Sequence, residues 1–178
     1  MGGFAVWLTG IPSSGKSTIA RILASRLREA GLKVEVLESD EVRRHLTPRP
    51  TYSEEERDAF YSALTYIGEL LVKNGVNVIF DATAHKRAYR EEARRRIKSF
   101  VEVYVKCPLE EAMRRDSKGL YRRAAAGEVS TLPGLQVPFE EPTSPEAVVD
   151  TSKLSPEEAA RAVEVKLREL GFLDASSL

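Results

Sequence analysis

The chain of 178 residues is short of several things at once. Cys107 is its only cysteine, so no intramolecular disulfide can form and a four-thiolate metal site is excluded, a usage that fits a reducing cytoplasm. His45 and His85 are the only histidines, too few and too far apart to argue for a zinc site, and both read as ordinary polar residues. Neither charge is in excess: Lys plus Arg number 27 and Asp plus Glu number 27, which leaves no bulk basic field to hold a nucleic acid or a membrane surface. A small-molecule substrate fits this balance. No apolar run approaches membrane-spanning length, and because the first apolar segment begins at residue 4 no signal peptide is expected ahead of it. Length and an even composition predict one α/β domain over residues 1–178, large enough to bury a continuous core.

What is present is ordered. Residues 4–9 form a short continuous apolar run, the pattern of a strand buried on both faces of a parallel sheet. Ile19, Ile22, Leu23 and Leu27 then recur at helical spacing up to Gly31, a suitable C-terminal cap. Residues 34–37 read as a second strand that delivers Glu38, Ser39 and Asp40 to the carboxyl edge of the sheet, where open α/β sheets bind ligands. Ser53 and Glu56 are spaced as a capping box for a long helix ending at Gly75. Strands are predicted at residues 76–80 and 100–106 with a helix at 89–97 between them, and Pro108 starts a short helix to about Arg115. Residues 116–145 are rich in Gly, Pro and charge, with a brief helical piece at 121–126, and read as a mobile lid or substrate loop. A short fifth strand at 147–149 and a helix opened by the Ser155–Glu158 capping box close the chain. The runs Arg94-Arg95-Arg96 and Arg114-Arg115 read as solvated helix faces, the second lying near the expected active site. Alternating strands and helices of this kind predict a parallel five-stranded sheet with helices on both faces and a lid.

Between the first strand and the first helix stand Gly10, Ile11, Pro12, Ser13, Ser14, Gly15, Lys16, Ser17 and Thr18, a complete GxxxxGK[ST] phosphate-binding loop in the strand-to-helix setting that such a loop needs. Its successive backbone N–H groups and the open helix N-terminus converge on phosphate oxygens. Lys16 adds a point charge for the β- and γ-phosphates of a nucleoside triphosphate. The Ser17 hydroxyl is placed to ligate Mg²⁺. The fold is therefore expected to be the P-loop NTPase fold, with ATP and Mg²⁺ as cofactors.

Phosphoryl transfer also needs a carboxylate to organise the metal, a group to orient or deprotonate the acceptor, and cations for the transition state. Asp81 follows an apolar strand directly and is assigned to Mg²⁺ through water. Asp40 is assigned as the acceptor-orienting base, with Glu38 two residues before it and, on an extended chain, pointing the same way. An equal alternative makes Asp40 the N-cap of a helix over residues 41–46. A guanine-specific switch protein would carry an Asn/Thr-Lys-x-Asp motif, which the chain lacks, and a Lys- and Arg-rich lid suits a small-molecule kinase that must exclude water.

The lid carries a more specific string. Arg115-Asp116-Ser117-Lys118-Gly119-Leu120-Tyr121, followed by Ala124 and Gly127-Glu128, resembles the RDxKGLY-x-x-A-x-x-GE lid of adenylylsulfate (APS) kinases. Pro133-Gly134-Leu135-Gln136-Val137-Pro138-Phe139-Glu140 resembles that family's TGIDxPYE segment, and residues 38–43 stand where it has DGDxxR. The resemblance runs from residue 7 to about residue 151. It implies transfer of the ATP γ-phosphoryl group to the 3′-hydroxyl of APS, giving 3′-phosphoadenylylsulfate (PAPS), in a cytoplasmic homodimer. It implies that Arg43 and Arg57 bind the phosphosulfate, that Tyr52 stacks on the APS adenine, that Leu135 lines the adenine site, that Glu38 belongs to the acceptor-binding set, and that Lys118 reaches the transferring group from the lid.

The chain departs from the pattern at named positions. Phe60 and Ser62 replace an Asn and an Arg, Leu132 replaces a Phe, Gln136 replaces an Asp, and Ala84 falls where a serine is sometimes marked as a phosphorylated intermediate, leaving direct in-line transfer. From the residues alone, Arg57 also reads as a solvated residue in the first turns of its helix, and Tyr52 as a hydrophobic staple before the Ser53 cap. Cys107, before Pro108 at a strand end, reads as buried packing. Asp81-Ala82-Thr83 also resembles P-loop kinases of polynucleotide ends and small metabolites, which keeps a kinase of another nucleotide, nucleic-acid end or metabolite as the alternative.

Overall fold

The computed structural model describes residues 2–174. Strands β1 (Ala5–Thr9), β2 (Val34–Glu38), β3 (Asn77–Asp81), β4 (Phe100–Lys106) and β5 (Ala147–Asp150) form one sheet in the order β2-β3-β1-β4-β5, and every pairing is parallel. The helices are α1 (Lys16–Glu29), α2 (Ser39–Leu46), α3 (Glu54–Lys73), α4 (Arg87–Arg96), α5 (Leu109–Arg115), α6 (Leu120–Ala125) and α7 (Pro156–Glu169).

β1 lies at the middle of the sheet and is buried throughout, as a continuous apolar run requires. Its side chains alternate between two cores. Val6 and Leu8 join Ile79, Val101 and Val103 against Leu23 of α1 and Val163 of α7. Ala5 and Trp7 join Val78 and Phe80 against Phe60 and Leu64 of α3 and Ala93 of α4. Trp7 stacks on Phe80 with centroids 4.3 Å apart, and its indole N–H donates to the Ala82 carbonyl at 3.1 Å, tying the carboxyl ends of β1 and β3 together. Gly68 makes room for that stack, since a Cβ there would stand 2.2 Å from Phe80 Cζ.

The element order is the predicted one, with shifted bounds. β3 begins at Asn77, because the Val76 amide donates to Leu71 O and closes α3 while the Asn77 amide begins the sheet by donating to Lys33 O. α4 begins at Arg87, two residues earlier than its apolar spacing suggests. Both predicted capping serines cap their helices: Ser155 and Glu158 form the complete reciprocal box, whereas Ser53 Oγ accepts from the Glu56 amide but the Glu56 carboxylate reaches past the cap to the amides of Thr51 and Tyr52.

The Arg-rich runs are less solvated than expected. Arg94 pairs with Glu146 and Glu102, Arg96 pairs with Glu69, and only Arg95 of that run is widely exposed. The buried Arg90 sits 3.4 Å from Glu102 and donates to the Glu140 carbonyl. The Arg90 bond to the Glu140 carbonyl, together with Glu140 N donating to His85 O at 2.8 Å, fastens the end of the 116–145 segment to α4 and the loop before it. Cys107 is free and buried beside Ala112, Tyr121 and Leu132.

Candidate active site

The loops that follow β1, β2 and β3 converge on the carboxyl edge of the sheet. In the phosphate loop Ser13 and Gly15 take positive φ values of 63° and 104°, the turn that folds successive amides toward one centre. Gly10 permits close approach to β4: a Cβ there would lie 2.4 Å from the Val105 carbonyl oxygen. Lys16 opens α1 and turns back over the loop, donating to Gly10 O at 2.8 Å and Ile11 O at 3.0 Å. Its burial drives its pKa down to about 8, against the pull of Asp81. The next residue, Ser17, donates through its Oγ to Asp81 Oδ2 at 2.7 Å.

Across the loop, Lys118 donates to the Asp40 carboxylate and lies 3.4 Å from Glu38 Oε1. Desolvation opposes the charge on Lys118, but the Asp40 hydrogen bond and both carboxylates outweigh it and raise its pKa. The convergence of Glu38 and Asp40 has a different cause from the one predicted. The chain leaves β2 at Glu38 and α2 opens at Ser39, so Asp40 stands in the first helical turn and not on an extended strand. The N-cap position belongs to Glu38, and no side chain caps this helix, so Asp40 is not the cap.

Two cavities meet at this point, of about 610 and 600 Å³. Pro12, Ser39, Asp40, Thr83, Lys118 and Leu120 line both of them. The second contains the phosphate loop, Ser17 and Asp81. The first contains Arg43, Arg57 and Tyr52. Arg43 and Arg57 are both buried. The Arg43 guanidinium lies 3.9 Å from the Phe60 ring centroid and 4.9 Å from that of Tyr52, and Arg57 lies 5.6 Å from Tyr52 while donating to Thr131 O at 2.9 Å. Arg57 is thus no solvated helix residue. Nor is Tyr52 an apolar staple, because the fourth position of α3, where its partner would stand, is Arg57 itself.

The family model for adenylylsulphate kinase matches residues 2–150. The chain belongs to the adenylylsulphate kinase family. It is 45% identical over 171 residues to the adenylyl-sulfate kinase of Picosynechococcus sp., covering 96% of this chain and 97% of that one. With the adenylyl-sulfate kinase of Rippkaea orientalis it shares 42% over 171 residues, 96% of this chain and 94% of that one. The APS kinase CysC of Mycobacterium tuberculosis, solved in complex with AMPPNP and APS, superposes with a TM-score of 0.89 at 32% identity, covering 94% of this chain and 98% of that chain.

Against the adenylylsulphate kinase pattern, several departures acquire a physical sense. Phe60, in place of an Asn, supplies the aromatic face under Arg43. Gln136, in place of an Asp, folds back on the lid, its amide donating to Val129 O at 2.7 Å and its carbonyl accepting from the Leu132 amide at 2.8 Å. That turn presents Leu132 and Pro133 to the first cavity. Leu135 lines neither cavity and is 42% exposed, since the same turn points it outward. Ser62 faces outward on α3.

Two residues of the site, His85 and Tyr121, have no role assigned from the sequence, and a third, Arg115, is less solvated than its run suggests. His85 is buried on the wall of the first cavity, where burial, Arg57 and Lys86 push its pKa down to about 4, so it is neutral at ordinary pH. Tyr121 is buried and its hydroxyl donates to Pro12 O at 2.7 Å, pinning the base of the lid to the phosphate loop. Arg115, predicted as a solvated face, borders the second cavity and donates to Thr151 O at 2.7 Å and Ser14 O at 3.4 Å, while Thr151 Oγ1 donates to Ser14 O at 2.6 Å. Only Arg114 of that pair is solvated. The lid string carries Arg115 and Tyr121 and could have flagged both; nothing in the sequence flags His85. Arg115→Ala is expected to raise the KM for ATP about tenfold or more while leaving the KM of the acceptor unchanged, because charge-assisted hydrogen bonds that shape the phosphate loop are lost. Steady-state kinetics with each substrate varied in turn reads the split.

Proposed function

We propose that the two joined cavities form an adenylylsulfate kinase site in which ATP occupies the one around Lys16 and APS the one around Arg43 and Arg57. The observation that carries this reading is the meeting of the cavities at Asp40 and Lys118, with two buried guanidiniums set among aromatic rings on the acceptor side. Guanidinium forks suit a phosphosulfate, and Tyr52, Leu132 and Pro133 suit an adenine. The likeness to a structure holding AMPPNP and APS supports the same assignment.

In the proposed reaction Asp40 accepts the proton of the APS 3′-hydroxyl as the oxygen forms its bond to the γ-phosphorus. The bond from that phosphorus to the β,γ-bridging oxygen breaks, and ADP leaves. Lys16 neutralises charge on the β- and γ-oxygens, and Lys118 stands where the phosphoryl group crosses between the cavities. Ala84 offers no hydroxyl, so transfer is direct and in line. Ser17 and Asp81, a hydroxyl and a carboxylate already 2.7 Å apart, are hard oxygen donors that fit Mg²⁺. Ser17 and Asp81 would hold such an ion beside the phosphate loop, where it would supply positive charge to offset the negative charge developing on the phosphates.

We further read residues 1–178 as one kinase domain with 116–145 as its lid, working as a homodimer in the cytoplasm. No described helix is long and apolar enough to cross a membrane. One similar structure, from Thiobacillus denitrificans, is a hexameric APS kinase, so sedimentation of the purified protein is the measurement of assembly.

The central test is APS-dependent release of ADP. Mg-ATP and APS are expected to yield ADP and PAPS in equal amounts, and ADP release indifferent to APS overturns the reading. A panel of other hydroxyl acceptors, polynucleotide 5′ ends included, tests the alternative kinase, for which transfer to one of them in preference to APS is the sign.

A further inference from the structure

Glu56 stands at the third position of α3, where a capping-box glutamate normally turns back to the amide of its own N-cap residue. Here the Ser53 amide is taken by Thr51 Oγ1 at 3.3 Å, and the Glu56 carboxylate goes elsewhere. Its Oε2 accepts from the Thr51 amide at 2.8 Å and from Thr51 Oγ1 at 3.0 Å. Its Oε1 accepts from the Tyr52 amide at 3.1 Å and faces Arg43 Nη1 at 3.7 Å. The Thr51 amide, first among these contacts, holds the Glu56 carboxyl below the ordinary carboxylate range despite its partial burial.

The residues so gathered are those of the acceptor cavity. Tyr52 is held at φ 55°, a left-handed conformation uncommon for an aromatic residue, and that conformation sets its ring against Arg43 and Arg57. Arg43 Nη1 is buried without a hydrogen-bond partner, because 3.7 Å is too long for one. The carboxylate therefore offsets the guanidinium charge while leaving that donor free for an incoming anion. Four contacts from one side chain fix both the aromatic wall and a cation of the same pocket.

We propose that Glu56 is a positioning residue of the acceptor site, clamping the 51–52 segment so that the Tyr52 ring and the Arg43 guanidinium are preset for an anionic aromatic substrate. The inference rests on the acceptor reading above. A residue that served only to cap α3 would act on stability alone, and the two roles are separable on the same helix end. Ser53→Ala removes the capping hydroxyl and keeps the carboxylate. Glu56→Gln keeps length and helix propensity, but its amide nitrogen must face an amide N–H that the carboxylate accepts.

Glu56→Gln is expected to raise the KM for APS about tenfold, with kcat at saturating APS within about twofold and the KM for ATP unchanged, in line with the loss of a charged hydrogen-bond acceptor. Amide hydrogen exchange at Thr51 and Tyr52 should quicken about tenfold or more in the same variant, while the Arg57 amide, bonded to Ser53 O, keeps its protection. Ser53→Ala should lower Tm and move neither KM. If Glu56→Gln instead lowers Tm without changing the KM for APS, or leaves exchange at Thr51 and Tyr52 at the wild-type rate, the positioning role is wrong and Glu56 is a capping residue. Wild-type protein that releases no ADP in response to APS defeats the acceptor reading separately, and the exchange comparison then decides the clamp without it.

Discussion

Asp40→Asn is expected to leave ATP affinity within about twofold of wild type and to lower kcat by two to four powers of ten, the range that general-base catalysis contributes. Asparagine keeps the shape of the side chain and can still accept a hydrogen bond from Lys118, but it cannot take a proton from an acceptor hydroxyl. The position of Asp40 gives the prediction its asymmetry. It lines both cavities, yet the phosphate-loop contacts run through Lys16, Ser17 and Asp81 and none of them involves Asp40. Stability should change little: the Lys118 and Asp40 side chains are 49% and 45% exposed, and an ion pair so open to water contributes about 0–1 kcal/mol. Isothermal titration with a non-hydrolysable ATP analogue and single-turnover kinetics separate the two quantities. A large loss of nucleotide binding would reassign Asp40 to the ATP side.

The features legible in the sequence are those fixed by local geometry. A GxxxxGK[ST] string between an apolar strand and an amphipathic helix can hardly fold otherwise, and the order of strands and helices followed from hydrophobic period and capping residues. Asp81 was legible because it ends a buried strand. What was not legible depends on contacts distant along the chain. Glu38 and Asp40 face one ammonium because α2 begins a residue or two sooner than its composition suggests and because Lys118 arrives from 78 residues away. Arg115 looked like half of a solvated pair; only the return of the chain at Thr151 draws it inward. The resemblance sets Leu135 in the adenine site, and the turn closed by the Gln136 side chain sends it out. His85 has no periodic or spacing signature, since its burial is produced by α3, α4 and the lid packing around the end of β3. The spacing of Glu56 from Ser53 marks a helix start, while the destination of its carboxylate is set by how the 51–52 segment folds back over the helix end.

Lys16→Ala should abolish turnover, with kcat down by about three powers of ten or more, since it deletes the cation preset for the charge on the β- and γ-phosphates. The same residue should leave a signature in stability. Lys16 is buried in the free protein, where its pKa is about 8 against 10.5 for an exposed lysine, a difference equivalent to about 3 kcal/mol. Below pH 8 the ammonium is protonated in both folded and unfolded chains, so its desolvation penalty is constant. Between pH 8 and 10.5 the folded protein has released the proton while the unfolded chain still binds it. The unfolded state then holds more protons, and stability rises with pH across that window. Measured as the difference in urea unfolding free energy between wild type and Lys16→Ala, the wild type should gain up to about 3 kcal/mol from pH 8 to 10.5 and be flat below pH 8. Taking the difference removes every group that titrates alike in both proteins, and the change of that difference with pH, not its absolute size, reports Lys16. A flat difference from pH 7 to 11 would mean that Lys16 is hydrated in the free protein, and turnover at the wild-type rate would remove it from the site. The penalty is what makes the loop receptive: a triphosphate supplies the countercharge that the empty fold withholds, so binding energy is gained where folding energy was given up.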